Sequence, residues 1–181
     1  MSAPTINIPG YATGTWTIDP IHSDVSFIVR HLGVSKVRGQ FNTFTGEIVT
    51  HEDVLSSSVT ATIDAASFHT RQEQRDSHVR GEDFLHVEEY PELTFTSTGV
   101  RHDGEQFLLD GNLTIRGVTK PVTLNLEING FGDINGDKVL GISASTEISR
   151  KDFGVSGGAA GAMVSDKIQI LLEIEAKRQN A

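Results

Sequence analysis

Apolar and polar residues alternate one by one through most of this 181-residue chain, and a period of two leaves room for little besides β-structure. Over residues 23–31, Val25, Phe27 and Val29 share one side against Asp24, Ser26 and Arg30. Val59, Ala61, Ile63 and Ala65 alternate with Ser58, Thr60, Thr62 and Asp64, and Leu93 and Phe95 with Thr94 and Thr96. The same rule sets Phe107, Leu109, Leu113 and Ile115 apart from Gln106, Asp110, Asn112 and Thr114. It continues through Val122, Leu124, Leu126 and Ile128, then Leu140, Ile142, Ala144 and Ile148, and last Ile168, Ile170, Leu172 and Ile174. A weaker stretch, 39–50, holds Phe41, Phe44, Ile48 and Val49 and reads as one more strand. Asp103-Gly104 and Asn135-Gly136 are hairpin turns.

About eight strands, each apolar on one side, must cover that side, and closing an up-and-down meander does so while removing both edges. The expected fold is therefore all-β, an eight-stranded antiparallel barrel, with a two-sheet sandwich as the competing solution. Two segments break the alternation. Residues 70–90 read as a polar loop followed by a short helix around Val79, Phe84, Leu85 and Val87, ended by Pro91. Residues 150–164 form a Gly/Ala-rich loop carrying Phe153. No repeat or linker divides the chain, which reads as a single domain over 1–181 with its core at about 15–176.

Composition narrows the function. A net charge of -9 speaks against nucleic acid, and against docking to anionic lipid headgroups through a basic patch. The absence of cysteine excludes disulfides, thiolate metal sites and a Cys nucleophile. The first residues carry neither a basic run nor an apolar one, and no stretch approaches the ~20 apolar residues of a membrane span. The expectation is a cytoplasmic protein without a transmembrane segment.

A barrel of this size is either filled by its own side chains or holds one ligand. Ala61, Ala65, Ser97, Gly99, Gly111 and Ala144 fall on the inward face, and small residues facing one another predict a void. Its walls are apolar, which suits an alkyl or isoprenoid chain; a five-carbon isoprene unit gains about 3–4 kcal/mol on burial. A barrel filled by its own side chains is the structural alternative.

Four motifs in order carry a resemblance. They are Asp19-Pro20-Ile21-His22-Ser23-Asp24-Val25, continuing through His31-Leu32-Gly33-Val34 to Phe41; Arg75-Asp76-Ser77-His78-Val79 with Asp83-Phe84-Leu85-His86; Gly111-Asn112-Leu113-Thr114-Ile115-Arg116-Gly117; and Arg150-Lys151-Asp152-Phe153-Gly154-Val155. Together they resemble the YceI-like family of polyisoprenoid-binding, lipocalin-like proteins. The resemblance implies an extended lipocalin-like barrel around a polyisoprenoid, quinone-like or other long-chain amphiphilic lipid. It also implies carriage or sequestration rather than catalysis, no separate cofactor, and a homodimer.

Strand parity and the resemblance together nominate Phe27, Val29, Phe41, Phe95, Phe107, Leu124, Ile142 and Ile170 as tail contacts, with His31, Arg75 and Arg80 for the head group. His69, His78 and His86 flank the polar segment and suggest a metal-dependent enzyme as the rival, although their spacing matches no ligand pattern. Asp19 and His22 form either a turn or a head-group pair. Gly154-Val155-Ser156-Gly157-Gly158 has the letters of a nucleophile elbow, but no histidine follows His102.

Overall fold

A computed structural model describes residues 6–179. Its strands are β1 (Gly14–Ile18), β2 (Asp24–His31), β3 (Ser35–Phe41), β4 (Phe44–Thr50), β5 (Ser58–Asp64) and β6 (Phe68–His69). They continue as β7 (Glu92–Asp103), β8 (Gln106–Ile115), β9 (Val118–Ile134), β10 (Asp137–Ser149) and β11 (Lys167–Arg178). All belong to one antiparallel sheet.

Three pairs are single strands with a break: β1 and β2 at 19–23, β3 and β4 at 42–43, β5 and β6 at the 3-10 turn Ala65–Ser67. Counted so, eight strands pair in chain order, and β11 closes the ring by pairing with both β1 and β2. The meander expected from the alternation is the meander found.

The breaks lie side by side. The Asn42 amide donates to the Ser67 carbonyl at 3.2 Å and the Asp64 amide to the Thr43 carbonyl at 3.0 Å. At the first break the Ser23 hydroxyl donates to the Glu175 carbonyl at 3.2 Å. They divide the barrel into two stacked halves. In the lower half Trp16, Ile48, Leu140, Ile142 and Ala176 pack into a closed cluster. The upper half is built from the β2–β3 hairpin, the helix α1 (Glu73–Arg80) and two 3-10 turns, Arg150–Phe153 and Gly158–Met163.

Some local readings are corrected. The helix precedes Phe84 and Leu85 instead of containing them. The Gln72 side chain accepts the Arg75 amide at 2.5 Å to start it, and Gly81 ends it by donating to the His78 carbonyl. The strand placed at 39–50 begins at Ser35 and is broken at 42–43, and β1 went unanticipated because five residues are too few to show a period.

None of the six small inward residues lines a cavity of the barrel, and at Gly111 the reason is plain. A Cβ on Gly111 would lie 2.4 Å from the Phe95 ring, so a large neighbour already fills that space.

Candidate functional site

Above the breaks the barrel encloses a cavity of about 650 Å³. Its exposed lining residues, His31, Gln72, Gln74, Arg75, His78 and Met163, ring the mouth. Leu93, Ile115, Ile148 and Phe153 are buried and form its depth, and Phe27, Phe41 and Phe68 make one wall. The three wall rings pack on one another, Phe27 and Phe68 stacked with centroids 5.3 Å apart. Gly39 makes that wall possible, because a Cβ there would lie 2.3 Å from the tip of the Phe27 ring.

Apart from the mouth, the one polar lining group among the described residues is Arg150, and it is fully engaged. Its Nε donates to the Ser165 carbonyl, its Nη1 to those of Val155 and Ser156, and its Nη2 to those of Gly161 and Val164, all at 2.7–3.1 Å. Five donors meet five carbonyls, so this buried cation shapes the Gly/Ala-rich loop and offers no N–H to a guest. The chamber behind the mouth is therefore apolar.

Helix α1 covers one side of the opening, and a buried carboxylate holds it there. Asp76, 1% exposed, accepts the Thr70 amide at 3.0 Å and the Thr70 hydroxyl, with His69 Nδ1 at 3.4 Å. Burial pushes its carboxyl up, but the Thr70 hydroxyl and amide, then His69 and Arg80, outweigh that and hold it below the usual carboxylate value. Arg75 adds bonds from Nε to the Thr70 hydroxyl and from Nη2 to the Thr70 carbonyl.

The residues nominated from sequence separate by height along the barrel. Phe27, Val29, Phe41 and Ile170 line the cavity, with His31 and Arg75 at its mouth. Phe107 and Ile142 instead face a pocket of about 50 Å³ in the lower half. Phe95 and Leu124 are buried in the core and do not line the upper cavity. Arg80 is turned to the backbone, its Nη2 donating to the Phe68 carbonyl at 2.7 Å. Sequence reasoning allows Phe84 and Phe153 to pack over a barrel mouth, and both line the cavity; it did not nominate Phe68 or Arg150, for which the Arg150–Phe153 motif was the available signal.

The loop histidines do not converge. Each faces its own carboxylate: His69 Asp76, His78 Asp83 at 3.0 Å, and His86 Glu89 at 3.3 Å. Asp19, His22 and Glu175 do meet, with His22 Nδ1 at 2.7 Å from Asp19 and 3.3 Å from Glu175. Asp19 also accepts the Ile21 amide at 2.9 Å, the local turn expected of an aspartate before proline. Its hydrogen bond to His22 raises the imidazole above its ordinary value and lowers the carboxyl.

A family model described as a YceI-like domain matches residues 16–176. The chain belongs to the YceI-like family. Protein YceI of Escherichia coli O157:H7 is 38% identical over 160 residues, 87% of this chain and 83% of that one. The YceI protein of Campylobacter jejuni superposes on this YceI-like chain with a TM-score of 0.73 at 27% identity, covering 99% of this chain and 100% of that one. A polyisoprenoid binding domain from Saccharophagus degradans shares the fold with a TM-score of 0.73, at 14% identity over 93% of this chain and 100% of that one. Among the described residues, no helix is long and apolar enough to cross a membrane.

Proposed function

We propose that this protein binds a polyisoprenoid or similar long-chain amphiphile in the upper half of its barrel and carries or sequesters it unchanged. The observation that supports this most is the apolar 650 Å³ chamber whose polar groups are confined to its mouth and to the engaged Arg150. At the ~30 Å³ that a water molecule occupies in the liquid, it takes on the order of 20 non-hydrogen atoms, or about four isoprene units.

In this reading the tail lies against Phe27, Val29, Phe41 and Ile170, and the head group sits between His31 and Arg75. Each buried CH₂ contributes about 0.8 kcal/mol, so a tail of that length exceeds the lower range of association costs without any special polar contact. The lipid is cargo, and no side chain is assigned to catalysis. The polyisoprenoid binding domain of Saccharophagus degradans, alike in fold, is consistent with this cargo.

Native mass spectrometry of gently purified protein, followed by solvent extraction, tests it. A stoichiometric amphiphile with a tail of that size is expected. Protein that stays empty when incubated with isoprenoids of increasing length would overturn the reading.

A further inference from the structure

The β2–β3 hairpin reaches beyond the mouth, and its tip is unlike the rest of the surface. Residues 30–36 are exposed without a break. They include Leu32, 62% exposed, and Val34, 84% exposed, and Met163, 46% exposed, touches the same tip through the Leu32 amide, which donates to its carbonyl at 2.8 Å. His31 and Met163 both line the cavity, so this apolar tip is continuous with the opening.

The charge around it runs against the net charge, which taken alone speaks against docking to anionic headgroups. Between Asp24 and Glu47 the chain has Arg30, Lys36 and Arg38 and no acidic residue, in a protein of net charge -9. Arg30 and Lys36 stand directly opposite each other across the ladder, and Arg38 lies on the same outer face. Lys167, two residues before the Gln169 that pairs with Ile28, extends this face onto β11. Among the described residues, none of the four is in an ion pair. Like charges placed directly opposite destabilise a sheet, so nothing within the barrel accounts for the arrangement.

The turn is also costly. The Val34 amide donates to the His31 carbonyl at 3.0 Å, with Leu32 at φ 55° and Gly33 at φ 67°. Asn, Asp or Gly takes the first of these positions with little strain; a leucine does not. The same turn at Arg116-Gly117 carries a polar side chain, whereas here the strained position leaves an apolar one exposed.

We infer that this tip docks on the surface of an anionic lipid bilayer, with Leu32, Val34 and Met163 entering the headgroup boundary and Arg30, Lys36, Arg38 and Lys167 facing its phosphates. Apolar residues surrounded by cations are the combination that an anionic interface rewards, through buried area and charge together. Docked by this tip, the molecule presents its mouth to the lipid. The cavity reading supplies the purpose of this contact, not its evidence.

Flotation with vesicles of phosphatidylcholine alone, or with equimolar phosphatidylglycerol, tests the inference. The protein is expected to float with the anionic vesicles, and to lose this in about 0.5 M salt, where screening is nearly complete. R30E/K36E and L32S/V34S should each lower binding by about tenfold or more. Equal binding to both vesicle types, or unaltered binding by both variants, would overturn it. So would a change of L32S/V34S from dimer to monomer in sedimentation with vesicle binding intact, which would assign the tip to a second copy. Native mass spectrometry of the same variants reads the cavity separately. Lost flotation with the amphiphile retained supports the docking tip, whereas an empty wild-type cavity counts against the carrier reading and leaves the flotation result standing.

Discussion

Trp16 donates its indole N–H to Thr50 Oγ1 across 2.8 Å, and Thr50 in turn donates to the Ala12 carbonyl at 2.8 Å. This pair seals the lower barrel, where Trp16 is fully buried edge-on to Phe131. Trp16→Ala should cost about 3–5 kcal/mol in urea unfolding. Thr50→Val, which strands the indole N–H, should cost about 1–3 kcal/mol. Neither residue lines the upper cavity, so lipid bound per folded molecule should not change. A folded Trp16→Ala protein that no longer holds lipid would contradict the division into two halves.

Two glycines distinguish the halves more finely. At Gly39 the atoms an added Cβ would strike are the tip of the Phe27 ring, at 2.3 Å, and a Thr70 methyl. At Gly111 they are the Phe95 ring and the Thr96 carbonyl, backbone that cannot yield. Gly111→Ala should therefore cost about 1–3 kcal/mol with little effect on lipid. Gly39→Ala should cost less, because Phe27 borders open space, but should drive that ring into the chamber and shorten the longest isoprenoid retained. Equal stability losses with equal lipid retention would refute this.

Asp76 makes helix α1 sensitive to acid. Its folded value lies below that of the unfolded chain, so its contribution is complete above the unfolded value of about 3.9 and is lost as pH falls through the folded one. Asp76→Asn removes an acceptor of charge-assisted bonds and should cost about 1.5–3 kcal/mol at neutral pH. The gap between wild type and variant should be flat from about pH 5 to 7 and close below about pH 4. Denaturation curves across that range provide the check; a gap that widens in acid would be incompatible with an ionised, hydrogen-bonded Asp76.

Arg150 invites a comparison of lysine with alanine. Lysine has three donors for five carbonyls, and alanine none. Each buried carbonyl left unpaired costs on the order of 1 kcal/mol or more, so Arg150→Ala should lose several kcal/mol and Arg150→Lys about half as much. Limited proteolysis should then cut within residues 154–164 first. Cleavage elsewhere at the same dose would show that the guanidinium does not hold this loop.

Much of the barrel was legible because alternation fixes which face of a strand a residue occupies. It does not fix height. Phe27 and Ile170 share an inward parity with Phe107 and Ile142, yet the first two line the chamber and the others the small lower pocket. Height depends on register and on where strands break, and 42–43 carries no glycine or proline to announce its break. Helix α1 was misplaced for a related reason: Glu73–Arg80 has Val79 as its one apolar residue, so no stripe marks it. Buried Asp76 and the cap at Gln72 hold it instead, and such contacts are visible only once distant residues meet.

The level alignment of the three strand breaks gives the molecule the plan of a stoppered flask. The stopper around Trp16 holds the strands together at one end, while the open space beside Phe27 leaves the bowl room for guests of different length. Changes of cargo over generations would then accumulate at the half-buried wall near Phe27 and Phe41 and spare Phe68 and Phe153, which are buried.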